Sequence, residues 1–581
     1  MLAVLKSVLL AVAGGLWLAG SGLSSKLDGF EKIVISIGLG VALAVLVGCV
    51  SLILGFSHVD IITLCLTSVL FILFLVKRNL TMPRLKLTIE RQYWVPVSLF
   101  SVHVLFFVLY LYAFPFFPGS DAMDVVWHIY ITNAVLHGQI VAPATETGSH
   151  ILFAYFYSFL GGGLLDSLRI STAAIEAFSV LVAYCMFHRL FRQFESAAYA
   201  TVAFSLIVPA GLFYYTSIGA YPNIIGDFFV LLSLFFFLIV SQNISKLSIL
   251  TMVVIETLAL ISHISVLIFG GLMLSFSVFI YKSNRDMFKS YALANVGFLI
   301  LPIAVLVISP GLLIREIGYV SNLNYIGLQD SPALILRTWF DNYVFLAGPI
   351  NFGLVWIALV MAVTKMRKQW ESLLLAAWFT LLFLAIFFGS NGSRFVLLSF
   401  LPGAGLIGLL LLRIDRSISR LARWIRVPRV RRIFTGVTMI CIIFVLIATG
   451  SAARMATETY LADGTSRQNQ LLIYESMQWL ASNSNSDAAV ISIGLQKEYR
   501  YLPTLFNRTY VGDYDLPPDN QNPSNLLAVK SVMHFNYIVI TTNFNGIQNY
   551  YQCKALRSVF RNSQVTIFAL TNAISCSNGT G

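Results

Sequence analysis

Charge is scarce in this chain. Asp, Glu, Lys and Arg make up only 11% of its 581 residues, hydrophobic residues make up 58%, and the mean hydropathy is +0.81. A water-soluble globule of this length cannot clothe itself with so few charges, so the main solvent of the chain is lipid. A P-loop and a GxGxxG fingerprint are also absent. The connections that collect positive charge are short, about 20 residues at most, which leaves no room there for a soluble nucleotide-binding domain. Cysteine is sparse. Cys49, Cys65, Cys185 and Cys441 fall in apolar runs, whereas Cys553 and Cys576 share the polar C-terminal region, where a disulfide and two free thiols are both open readings. No cleavable leader pattern is evident at the N-terminus.

Apolar runs near the ~20 residues needed to cross the hydrocarbon layer recur as far as Gly450. They read as about fourteen spans, among them Ile61–Val76, Ser171–Phe191, Ala197–Tyr215, Ile264–Ile280, Tyr291–Leu312 and Phe395–Leu412. If alternate connections face the cytoplasm, that side gathers 24 Lys and Arg residues, including eight arginines from Arg413 to Arg432, while the other side keeps 5. Positive charge is retained on the cytoplasmic side. The chain therefore reads as a mainly α polytopic membrane bundle over residues 1–450, followed at 451–581 by a small extracytoplasmic α/β domain. The formal charge of +12 becomes a topology signal, with the arginine-rich segment along anionic lipid headgroups and no nucleic acid as partner.

Two long outer connections follow from this arrangement, at about 115–170 and 313–343. The first contains the apolar stretch His150–Leu165. Counting that stretch as a span would put Arg189 and Arg192 outside, so it reads as a re-entrant or interfacial helix. In the C-terminal region, helices at Asn469–Ala481, Ser524–His534 and Ile547–Phe560 alternate with strands at Ala488–Ile493, Tyr537–Thr541 and Val565–Leu570.

Chemistry is sought where ionisable groups meet the outer membrane edge. In Gly119-Ser-Asp-Ala-Met-Asp-Val-Val-Trp-His128, a turn and an N-cap at Ser120 can open a helix. On that helix Asp121, Asp124 and His128 share a stripe roughly 60° wide. The plainer alternative is that the two carboxylates only complement the helix dipole. Tyr221, Asn223 and Asp227 follow a tight outer turn, Ser262-His263 lies where two short spans meet, and Arg394 precedes the thirteenth span. All of these fall at the same membrane edge. Asp121, Asp124 and His128 are also side chains that a divalent ion accepts; no cofactor is required by the sequence, and metal dependence stays open.

These residues resemble a family, the GT-C class of membrane glycosyltransferases, which includes protein O-mannosyltransferases and the lipid A aminoarabinose transferase. The acidic segment Gly119–His128 looks like that class's first-loop motif, and Tyr221-Pro-Asn223 and Ser393-Arg-Phe395 with Pro402 look like its later outer-edge motifs. Tyr501-Leu-Pro503 and Val565-Thr-Ile-Phe568 are similar to its C-terminal appendage. The resemblance covers most of Trp94 to Leu570 and implies transfer of a sugar from a polyprenyl-phosphate donor to a lipid, glycan or protein acceptor, with inversion. It implies Asp121 as general base with Asp124 beside it, and Arg394 as the partner of the departing phosphate. The Trp-Trp-Asp-Tyr-Gly acceptor motif of oligosaccharyltransferases is absent, so en bloc transfer to Asn is not expected. The rival reading is a transporter or lipid flippase. It lacks support from an inverted repeat, from paired broken helices or from mid-membrane charge. A non-catalytic scaffold is the third reading.

Overall fold

In the computed structural model, the described residues are 2–21, 23–57, 93–112, 124–140, 144–160, 163–207, 221–240, 246–263, 348–365, 370–385, 392–450, 464–485, 488–493, 509–512, 522–527 and 534–571, with isolated positions between them. Thirteen helices precede the C-terminal region among them. These are α1 (Leu2–Gly20), α2 (Gly29–Ile53), α3 (Trp94–Tyr112), α4 (Asp124–Leu136), α5 (Ala144–Leu160), α6 (Leu164–Phe191) and α7 (Phe194–Val202). They continue with α8 (Tyr221–Val240), α9 (Lys246–Ser262), α10 (Pro349–Thr364), α11 (Trp370–Ala385), α12 (Gly392–Leu421) and α13 (Pro428–Ala448).

Local chemistry marks several of the boundaries. Asp28 caps α2, accepting from the Glu31 amide at 2.9 Å while Glu31 Oε2 accepts from the Asp28 amide at 3.1 Å, a reciprocal capping box. Proline opens α10 and α13, where the missing amide costs nothing. α6 ends on Arg192 in the left-handed region, φ 53°.

Close backbone approach builds the N-terminal pair. A Cβ added at Gly14 would strike the Ser36 carbonyl oxygen, and one at Gly40 the Leu10 carbonyl oxygen. Small residues that let backbones touch are how helices associate where lipid removes the hydrophobic drive. A buried ion pair ties the end of this hairpin to α6. Arg189 Nε donates to Glu31 Oε1 at 2.6 Å, its Nη2 pairs with Glu31 Oε2, and Nη2 also donates to the Lys26 carbonyl at 2.7 Å.

Against the expectation of about fourteen spans, four helices among the described residues are long and apolar enough to cross a membrane. They are Gly29–Ile53, Leu164–Phe191, Tyr221–Ile239 and Pro428–Ala448; five shorter apolar helices accompany them. Most of Ile61–Val76 and all of Ile264–Ile280 and Tyr291–Leu312 lie outside the described residues. The expected span Phe395–Leu412 is instead the middle of α12, which runs on to Leu421 and carries Arg413, Arg416 and Arg420 as helix. Ala197–Tyr215 begins as α7 and passes into a π-helical turn at Ala203–Ile207. α13 turns Val430, Ile433, Val437, Ile440 and Phe444 outward, each more than half exposed, which is the surface a lipid-facing helix presents.

α5 departs most from expectation. Five consecutive residues, Ile151 to Tyr155, are buried, and α5 packs against α2, α4, α6 and α9. An interfacial helix keeps one polar, exposed face, whereas from Ile151 to Tyr155 this one is apolar and covered on every side. The stretch His150–Leu165 is shared between α5, which is described to Leu160, and α6, which begins at Leu164.

The C-terminal region holds α14 (Gly464–Asn483), β1 (Ala489–Ile493), β2 (Thr509–Gly512), β3 (Tyr537–Thr541), α15 (Ile547–Gln552), β4 (Leu556–Arg561) and β5 (Val565–Leu570). The sheet order is β2-β1-β3-β5-β4, with the first three strands parallel and the β3/β5 and β5/β4 pairs antiparallel. Alternating side chains supply two cores. Val490, Val539 and Ile567 cluster with Ile473, Met477 and Leu480 of α14, while Ile491, Ile538 and Phe568 cluster with Leu526, Ile547 and Tyr550. The expected helix Ile547–Phe560 is corrected to a short α15 and the edge strand β4. The chain turns at Cys553, which is disulfide-bonded. β4 then pairs with β5, leaving Arg557 and Arg561 exposed on the edge, a common guard against strand addition. Of the expected helix Ser524–His534, residues 523–527 are helical and 528–533 lie outside the described residues.

Candidate functional site

The first long connection supplies two helices whose histidines meet. His128 lies one turn into α4 and His150 lies in α5, and both are buried. His128 Nδ1 and His150 Nε2 are 3.0 Å apart, and His150 Nδ1 is 2.8 Å from the Glu146 carbonyl oxygen. The rings are tilted by 45° with centroids 5.1 Å apart. Thr132 Oγ1 donates to the His128 carbonyl at 2.7 Å.

Tyr221, the first residue of α8, brings its ring to 6.4 Å from that of His128 and 6.5 Å from that of Phe153. Asn223 follows within the same turn and is buried. His263 follows α9 directly, is also buried, and acts electrostatically on His128. The close seat of α5 against α9 depends on small residues. Ser149 Oγ donates to the Ser262 carbonyl at 2.9 Å, and a Cβ on Gly148 would crowd the Ser262 side chain.

α4 and α5 are not among the helices that meet the length and apolarity of a span, and their imidazoles are held uncharged by burial. For His128 desolvation is the largest cause, followed by the neighbouring His150 and His263, and its pKa lies well below the usual value. Burial lowers His150 to about 4, against the opposing hydrogen bond to the Glu146 carbonyl. Charging either ring would place a cation in a water-poor pocket.

Of the residues expected at the site, His128, Tyr221 and His263 come together beside α5, and Asn223 is placed only as a buried residue in the first turn of α8. Asp227 lies nearly two turns further along α8 and is half-buried. Asp124 is the first residue of α4 and Arg394 lies in the first turn of α12, each described as backbone only; Asp121 lies outside the described residues. His150 is the member that sequence reading missed. It was hidden as the polar start of an apolar run; the usable signal is a histidine four residues after Glu146 in a stretch too short to span.

Of the metal ligands the sequence allows, Asp121 and the side chain of Asp124 lie outside the described residues. Among the described residues one trio brings ligand atoms within 4.8 Å of one another, namely Asp28, Glu31 and His188. There Glu31 is already engaged by Arg189 through both carboxylate oxygens, so the ion pair fits the donor set better than a cation does.

No family model matches the chain, and no curated protein matches it in sequence. Solved structures match it in fold. ArnT from Cupriavidus metallidurans bound to undecaprenyl phosphate is 12% identical with a TM-score of 0.53, over 84% of this chain and 99% of that one. The same enzyme in the apo state is 13% identical with a TM-score of 0.53, over 82% and 98%. The Archaeoglobus fulgidus oligosaccharyltransferase tethered with an acceptor peptide is 13% identical with a TM-score of 0.51, over 78% and 69%. The fold is that of GT-C membrane glycosyltransferases, as the sequence resemblance implied.

Proposed function

We propose that this protein is an integral-membrane glycosyltransferase that moves a hexosyl or pentosyl group from a polyprenyl-phosphate donor to a lipid, glycan or protein acceptor. The transfer takes place at the outer membrane face, with inversion, and serves cell-envelope glycosylation. The observation that carries this reading is the shared fold, which extends over 99% of a relative solved with undecaprenyl phosphate bound. The C-terminal α/β domain belongs on the extracytoplasmic side. The 24-to-5 asymmetry of positive charge and the disulfide at Cys553, a bond at home in oxidising compartments, both support that side.

The residues then divide the work. An acceptor hydroxyl attacks the anomeric carbon opposite the phosphate, so a C–O bond forms as the bond from carbon to phosphate oxygen breaks. The hydroxyl proton passes to Asp121 as general base, with Asp124 beside it. The departing polyprenyl phosphate gains charge, and a guanidinium at Arg394 stabilises that charge in a water-poor site. His128, Tyr221, Asn223, Asp227 and His263 are the further candidates for contacts to donor or acceptor.

The test is transfer of labelled sugar from polyprenyl-phosphate sugars in membranes carrying the protein. Asp121→Asn abolishes transfer while the protein still elutes as a folded monodisperse species, and Arg394→Ala lowers turnover or donor binding. Normal turnover in Asp121→Asn defeats the assignment, and movement of donor lipid across the bilayer without sugar transfer favours a flippase. Comparing cell-envelope glycans with and without the gene identifies sugar and acceptor.

A further inference from the structure

The two buried histidines determine each other's tautomers. The Glu146 carbonyl only accepts, so His150 Nδ1, 2.8 Å away, carries the hydrogen. In a neutral imidazole the other nitrogen is then a bare lone pair, so His150 Nε2 accepts. Its partner at 3.0 Å is His128 Nδ1, which must donate. By the same rule His128 Nε2 has no hydrogen. That nitrogen is buried and, among the described residues, has no hydrogen-bond partner, although the residue is only 4% exposed.

A buried acceptor left open runs against the general pattern of folded proteins. A histidine kept only for packing gains nothing from it. A hydroxyl group can fill such an open acceptor, since it has one hydrogen to donate.

We propose that the Glu146 carbonyl, His150 and His128 form a tautomer lock that holds the His128 Nε2 lone pair ready for a hydroxyl of a sugar or alcohol substrate. His128 is the binding residue, and His150 is a positioning residue that acts through His128. The inference rests on the glycosyltransferase reading for the identity of the ligand, but the lock itself does not. A neutral ring suits the role, because burial favours uncharged imidazole at both positions, and an uncharged acceptor can bind an uncharged hydroxyl without a desolvated charge.

Two measurements on the full-length protein in lipid nanodiscs test it. The first is NMR of protein labelled with 15N-histidine, with His128 signals assigned by their loss in His128→Gln. The expected state at neutral pH is an uncharged His128 protonated on Nδ1; protonation on Nε2, or a charged ring, overturns the lock. The second is steady-state kinetics. His128→Phe raises a KM by roughly tenfold to a hundredfold, the range for a lost hydrogen bond to a buried group, with a smaller change in kcat. His150→Leu does the same, and His150→Gln, whose amide oxygen can accept from His128 Nδ1, recovers most of the loss. A rise in donor KM assigns the hydroxyl to the transferred sugar, and a rise in acceptor KM assigns it to the acceptor. Unchanged KM values for both substrates in a folded His150→Leu protein overturn the proposal. If the wild-type protein transfers no sugar, the glycosyltransferase reading falls, while the NMR result still decides the lock.

Discussion

Replacing Arg189 by Leu isolates Glu31, whose side chain is only 2% exposed. Breaking a buried pair from one side costs ~3–5 kcal/mol, because the remaining charge loses its counter-charge without regaining water; Glu31 keeps only the Asp28 amide at 3.1 Å and the His188 ring at 3.9 Å. The Arg189 side chain is 20% exposed, so water reaches one edge of the pair and the lower end, about 3 kcal/mol, applies. The change also removes the donor to the Lys26 carbonyl. Glu31→Leu should cost less, since the freed guanidinium can turn to solvent; its additional loss is the capping-box contact to the Asp28 amide, roughly 1 kcal/mol. In the double variant no charge is isolated, so it should be more stable than Arg189→Leu alone, with a coupling of about 2 kcal/mol. Unfolding by SDS in mixed micelles, followed for all four proteins, measures this cycle. If the double variant loses the sum of the two single losses, Glu31 and Arg189 do not act as a unit and the account of how the α1–α2 hairpin is held to α6 is wrong.

Acid should destabilise the protein through its histidines. His150 takes a proton near pH 4 when folded but near pH 6.5 when unfolded. Stability is therefore full above about pH 6.5 and falls by roughly 3 kcal/mol as the pH drops to about 4; His150→Gln should flatten that part of the thermal stability profile. Gly40→Leu drives a side chain into the Leu10 carbonyl and should abolish recovery of monodisperse protein, whereas Gly436→Ala, with open space around it, should be recovered at the wild-type level. Chelation with EDTA should leave the melting temperature unchanged, because Arg189 occupies Glu31; a drop would show that Asp28, Glu31 and His188 hold a cation.

Hydropathy and the alternation of side chains read well where one physical signal dominates. Strands β3 and β5 match their expected limits, Tyr537–Thr541 and Val565–Leu570, because apolar residues fill both faces between turn residues. The sequence of β4 suggests helix because Gln552-Cys-Lys-Ala-Leu has no Gly or Pro to announce the turn, and only pairing with β5 reveals a strand. The sequence of α5 suggests a re-entrant or interfacial helix; that Ile151–Tyr155 are buried among several partner helices is a tertiary property that no local pattern announces. That His128, Tyr221 and His263 lie together is legible beforehand, since ionisable and polar residues at one membrane edge are few. His150 and the Glu31–Arg189 pair could not. Their partners are 22 and 158 residues away, and nothing in the local composition names a partner at that separation.

The contact of α1 with α2 through Gly14 and Gly40 has a consequence for biosynthesis. Backbones that meet directly need no third element to complete their interface, so the hairpin can assemble within the bilayer once residue 53 has been inserted, before any residue of the candidate site has been synthesised. It then offers Glu31 as a preformed anchor, and α6, arriving more than a hundred residues later, docks Arg189 onto it and aligns the floor on which α5 is laid.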